Sequence, residues 1–96
     1  MPYIENEQRE RLKHSINLLV SQLDAVDDED IEGVMNYTIT TLLTKRMKPE
    51  TGWRYKWINR TLGVIEAVKQ EFYRRVASKY EDKAIEKNGD IEVYMW

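Results

Sequence analysis

Three groups of side chains in this sequence could do chemistry: four consecutive carboxylates at Asp27-Asp28-Glu29-Asp30, acids paired along helical segments, and a mixture of rings and cations from Trp53 to Tyr80. In the first group, Asp28, Asp30, Glu32 and Gly33 fall on the first, third, fifth and sixth positions of an EF-hand calcium loop. The twelfth position, which has to supply a bidentate Glu, is Ile39, and a helical apolar pattern from Ile31 to Leu43 runs through the supposed loop. No metal is therefore expected there. His14 is the only histidine and there is no cysteine, so a single chain can assemble neither a His-based triad, a thiol nucleophile nor a multi-His or thiolate metal site.

Paired carboxylates remain. All-helical nucleotide pyrophosphohydrolases bind magnesium with Glu-x-x-Glu on one helix and an acidic pair on another, carboxylates one turn apart on a shared face. Here Glu66 and Glu71 are five apart, Glu81-Asp82 follow, and the Glu7/Glu10 match lies at an exposed helix start. Surface pairing, such as Glu66 with Lys69 or Gln70, is the simpler reading. The third group is richer: Trp53, Tyr55, Trp57, Tyr73 and Tyr80 are mixed with Arg54, Lys56, Arg60, Arg74, Arg75 and Lys79. Rings stack on bases and guanidinium groups take phosphate bidentately, which suits a small anionic nucleotide or a single strand. The structural alternative places Trp57 and Tyr80 on or beside the core stripe and pairs Arg74 and Arg75 with Glu71, Asp82 or a neighbouring subunit's acids. Duplex DNA is opposed by the overall acidity and by the lack of a helix-turn-helix signature.

The elements that must position these groups are helices. From an N-cap near Asn6, the residues Leu12, Ile16, Leu19, Val20, Leu23 and Val26 recur at spacings of 4, 3, 1, 3 and 3, one face of a first amphipathic helix. Asp28 or Asp30 caps a second, in which Ile31, Val34, Met35, Thr38, Ile39, Leu42 and Leu43 repeat before Lys45, Arg46 and Lys48 meet the C-terminal end of the dipole and Pro49 to Gly52 turn the chain. A third runs from about Trp53 to Lys87, with Ile58, Leu62, Ile65, Val68, Phe72, Val76, Tyr80 and Ala84 on one face. Unbroken, it would be about 52 Å long. A helix of that length in a chain of 96 residues predicts a break near Gly63 or Ser78, or a portion that packs on another subunit. Asn88-Gly89 stops it. The tail, where Ile91, Val93 and Met95 alternate with Glu92, Tyr94 and Trp96, reads as a short strand that could pair with Met1 to Ile4. The expected fold is all-α: a single domain over residues 1–96, a three-helix bundle (four-helix if the third helix breaks) with a long C-terminal helix and short extended termini.

The totals agree with that size. One small core is the limit for such a chain, and with no disulfide available the remaining staple is oligomerisation. No apolar run approaches the roughly 18 residues that span a bilayer, and the first residues lack a signal-peptide pattern, so the expected place is the cytoplasm, with no membrane partner. The net charge of −2 conceals a split: residues 1–44 carry three basic and nine acidic side chains, residues 45–79 ten basic and three acidic, and residues 80–96 two basic and five acidic. Such segregation points first to complementary surfaces within or between subunits, and second to a patch for an anionic ligand.

In the order and spacing of Met1-Pro2-Tyr3-Ile4, Gly33-Val34-Met35-Asn36-Tyr37, Leu62-Gly63-Val64-Ile65-Glu66, Glu71-Phe72-Tyr73-Arg74-Arg75, Tyr80-Glu81-Asp82-Lys83 and Asn88-Gly89-Asp90, the chain resembles a family of small uncharacterised proteins encoded by bacteriophages and bacteria. Met35 stands where that pattern has Leu. The resemblance implies a phage or mobile-element setting, where proteins of this size are often partner-binding inhibitors, signal-nucleotide sponges or virion accessories, and it brings no cofactor. Polar residues beside a core stripe, such as Asn36, Tyr37, Tyr73 and Arg74, either form a buried hydrogen-bonded network or line a pocket. The leading expectation is a non-enzymatic protein that works by binding a host or phage protein or its own copies. The alternative is a nucleotide binder using Arg60, Arg74, Arg75, Tyr73, Trp53, Asn36 and Tyr37. A magnesium-dependent nucleotide hydrolase comes third.

Overall fold

The computed structural model describes residues 1–95 and is helical throughout its regular elements, with no strand among the described residues. Its helices are α1 (Asn6–Leu23), α2 (Ile31–Met47), α3 (Tyr55–Phe72) and α4 (Ser78–Asn88). A π turn, Tyr73–Ala77, joins α3 to α4 without a break, so the long C-terminal helix of the expected all-α fold is present. The chain divides into two compact units, Met1–Thr61 and Leu62–Trp96, with the division inside α3.

In the first unit, α1 closes earlier than its apolar period. The backbone NH of Asp24 still reaches the carbonyl of Val20, but Ala25 and Val26 donate to Gln22 and Leu23, three residues back, and this tightened turn ends the helix before Val26. Asp30 is the N-cap of α2 by position, though its side chain makes no capping hydrogen bond, and its own NH donates to the carbonyl of Asp27. With α2 beginning at Ile31, the stretch matched to a calcium loop is helix from its fourth position onward. Two threonines bond back one turn along their helices: Thr38 Oγ1 donates to the Val34 carbonyl and Thr61 Oγ1 to that of Trp57, each at 2.8 Å. Leu19, Leu23, Val26, Ile31, Val34 and Trp57 are half-buried and form the best-covered part of this unit. Ahead of α1, the Arg9 guanidinium donates through Nε to the carbonyl of Ile4 at 2.8 Å, fixing the N-terminal lead across the helix start. Pro2, Ile4, Leu12 and Ile16 then line a shallow groove with Arg9 and Lys13.

In the second unit the helix passes through Gly63 uninterrupted, and the departure lies next to Ser78. Its form is an added residue, not a break. Four consecutive four-residue steps, Val68 to Phe72, Val76, Tyr80 and Ala84, would carry an ideal α-helix about 160° around its axis. A π turn takes in one extra residue and returns about 100° of that, which holds the stripe on one side. Gly89, at φ +85° and ψ 156°, then ends α4 in a region open essentially to glycine alone, with its NH on the carbonyl of Ile85.

Two expectations are corrected. The tail is not a strand: Glu92–Tyr94 form a single 3-10 turn, with the Tyr94 NH on the Ile91 carbonyl, and residues 1–5 carry no ladder for it to join. Trp96 lies outside the described residues. Nor is any described side chain fully buried. The apolar stripes stand where the periodicity puts them, yet Leu62, Val68 and Phe72 are 58%, 64% and 63% exposed.

A candidate ligand surface

The seven residues expected to bind an anion fall into two sets. Asn36, Tyr37, Trp53 and Arg60 belong to the first unit, and Tyr73, Arg74 and Arg75 to the second. In the first, the Arg60 guanidinium lies 4.4 Å from the centroid of the Trp57 ring, one turn earlier on α3, in cation–π contact. Asn36 Oδ1 accepts from Thr40 Oγ1 at 3.1 Å, Tyr37 is 71% exposed, and Trp53 precedes α3 with its ring partly open. Each of these contacts is local to one helix.

The second set is held by the π turn. Tyr73 donates its phenolic OH to Glu81 Oε2 at 2.8 Å. In an ideal α-helix, residues eight apart stand about 80° out of line, and the extra residue of the π turn brings them to within about 20°. The hydrogen bond is thus a product of the local backbone. It also sets the acidity of the phenol: the bond to Glu81 and that carboxylate's charge raise the Tyr73 pKa above the ordinary 10.0, with smaller contributions from burial and Asp82. Arg74 forks onto Glu71, Nη2 to Oε1 at 2.8 Å and Nε to Oε2 at 3.4 Å, and the Glu71 side chain is only 24% exposed. Arg75 forms no ion pair among the described residues and stays open.

The polar residues beside the stripe do not form a buried network, because none is buried; they are exposed pairs one or two helical turns long. Glu66 takes Lys69 at 3.8 Å and Gln70 at 3.2 Å, Glu7 takes Arg11 at 2.7 Å, and Glu10 takes Lys13 at 3.3 Å. Among the described residues no three His, Asp or Glu side chains converge as metal ligands would. Two partners went unread in the sequence: Glu81, whose alignment with Tyr73 depends on the π turn, and Arg9, which pins the N-terminal lead. The one available signal was the run of four-residue spacings from Val68 onward, which a pure α-helix does not keep in line.

No helix among the described residues is long and apolar enough to cross a membrane. Neither the curated proteins nor the solved structures compared with the chain give a match. A family model does match, over residues 1–91, and the resemblance read from the motifs holds at that level: the chain belongs to the family described as a domain of unknown function, DUF6899.

Proposed function

We propose that this chain acts by binding protein through apolar helix faces, without catalysing a reaction. The observation that carries this is the row Leu62, Ile65, Val68, Phe72 and Val76, five large apolar side chains between 44% and 64% exposed along one helical face. Scattered exposed hydrophobes need no explanation, but an apolar row of this length marks a surface that something covers. The charge split supports a partner with a complementary pattern. The resemblance of its motif order to that of phage- and bacterium-encoded proteins supports a setting in the cytoplasm of a host cell, where a short helical protein caps or blocks another. The test combines light scattering with a dye that brightens on apolar surface. A strictly single-chain mass together with no dye signal would remove this reading.

A nucleotide-binding reading is supported by Arg75, exposed four residues before Lys79, and by the Arg60–Trp57 stack. The pairing of Arg74 with Glu71 and of Tyr73 with Glu81 weighs against it, since a phosphate would have to displace carboxylates already in place. Thermal shift decides: a ligand at 100 times its dissociation constant adds about 2.7 kcal/mol, so a flat response across cyclic and linear nucleotides at millimolar concentration excludes this class. Magnesium-dependent hydrolysis has weaker support still, because Glu66 and Glu71 are engaged with Lys69 and Arg74.

A further inference from the structure

We propose that the end of α2, the turn after it and the start of α3 form a surface for single-stranded nucleic acid. The surface lies in the first unit, apart from the open row between Leu62 and Val76, and the proposal is independent of the protein-binding reading.

The charge comes first. Lys45, Arg46, Lys48, Arg54, Lys56 and Arg60 stand close together, and Glu50 is the only acid between Glu32 and Glu66. All six cations are exposed, and among the described residues none of them forms an ion pair. The acidic stretch from Asp24 to Glu32 belongs to the same unit, yet no ion pair joins it to them. Lys45 and Arg46 suit the carbonyl end of α2, so helix stability accounts for those two. It does not account for Arg54 and Lys56. They stand at the amide end of α3, where a cation opposes the helix dipole, and no acid on that first turn offsets them. The two helix ends are joined through a defined turn, in which Gly52 at φ +90° donates its NH to the Pro49 carbonyl at 3.1 Å.

The rings come second. Trp53, Tyr55 and Trp57 alternate with Arg54 and Lys56 along the chain. On the helix, Tyr55 and Trp57 lie about 100° to either side of Lys56, and Arg60 about 40° from it, so the cations run between two rings. Arg60 holds its guanidinium 4.4 Å from the centroid of the Trp57 ring. A guanidinium stacked in this way keeps its in-plane N–H donors for phosphate. Tyr55 is 80% exposed and Trp53 39%, and an open ring takes a base on its face.

Together these features select the ligand. Stacking needs a base with a free face, which a duplex withholds. Six cations spread over two helix ends exceed what the phosphates of one nucleotide engage, so the fit is to a strand. An acidic protein would use the cations and leave Trp53 and Tyr55 without a role. An anionic bilayer would need the rings to insert, and Trp57 is half-buried with Arg60 on its face.

The test titrates the full chain into a fluorescein-labelled oligothymidylate of about 20 nucleotides and reads anisotropy. Expected is a dissociation constant of about 1–100 µM near physiological salt, with log K falling against log salt at a slope of about −3 to −4, the value for about four to six phosphate contacts. R54A/K56A should reduce that slope by about 1.4, whereas K83A/K87A, which removes the same charge from α4, should leave it unchanged. Tyr55→Ala should weaken binding about fivefold or more, and Tyr55→Phe, which keeps the ring, should not. No anisotropy change up to about 100 µM chain in about 50 mM salt would overturn the proposal. Equal losses in the two double variants, or indifference to Tyr55→Ala, would overturn it as well. So would tighter binding to phosphatidylglycerol vesicles or to polyglutamate than to the strand, which would give the cations to a lipid or an acidic protein. A thermal shift with mononucleotides but no binding of the strand would overturn it and leave the nucleotide reading standing, and the dye and light-scattering results bear on the protein-binding reading alone.

Discussion

The ionisation of Tyr73 is tied to a specific contact. Its phenol donates to Glu81, and losing the proton would leave a phenolate facing a carboxylate at 2.8 Å. The folded helix therefore favours the neutral form, and the pKa lies above 10.0. The contribution of this bond to stability is complete below the unfolded value near 10 and is lost as pH rises through the raised folded value. With ring-labelled tyrosine, NMR should show the Tyr73 signal titrating at higher pH than in Glu81→Gln, where charge repulsion is gone. Coincident titrations would show that Glu81 does not control the phenol. Gly89 gives a second test at this scale. With φ at +85° and ψ at 156°, Gly89→Ala forces a side chain into a backbone region costing on the order of 1–3 kcal/mol, and hydrogen exchange in the last turn of α4 should quicken while α1 is unaffected.

Among the elements, the π turn makes a prediction opposite to that for an ordinary stretch of helix. Because Tyr73–Ala77 already accommodate one residue too many, deleting Ala77 should let α3 and α4 merge into a regular α-helix, with Tyr73 and Glu81 still within about 20° of alignment. Helicity by circular dichroism and the raised Tyr73 pKa should both survive. Deleting Ala67 instead, in regular helix, should rotate everything beyond it by about 100° and split the apolar row, with loss of association. If the Ala77 deletion unfolds the chain and the Ala67 deletion does not, the π turn is more than a stored residue. Helix positions followed from period and caps: α2 starts one residue after Asp30 and α4 ends at Asn88, ahead of Gly89. Local polar contacts such as Glu66–Lys69 followed from three- and four-residue spacing. Tyr73–Glu81 did not, because eight-residue proximity depends on a non-α turn that no single residue announces. The tail strand failed for a related reason: alternation over so few residues specifies a strand only when a neighbouring strand receives it, and residues 1–5 offer none.

For the molecule as a whole, the consequence of incomplete burial is thermodynamic. A helix of 18 residues such as α1 is marginal alone in water, and exposed ion pairs like Glu7–Arg11 contribute at most about 1 kcal/mol each. On the protein-binding reading proposed above, stability that comes from covering the row between Leu62 and Val76 depends on how much partner is present. Dilution from about 100 µM to about 1 µM should lower the melting temperature of the purified chain and its helical signal together. A concentration-independent melt would show that each chain completes its own core. The sequence established that the apolar stripes exist and that charge is segregated along the chain; what covers a stripe is a property of the assembled state, and periodicity carries no information about it.

The open row on the long helix also has a meaning for supply and turnover. A polypeptide whose helices hold only while that row is covered spends more of its unaccompanied life unfolded, and cellular proteases act on the unfolded fraction. On the proposed protein-binding reading, copies made in excess of their partner would be removed first, so the steady level of the protein would follow its occupancy more closely than its rate of synthesis.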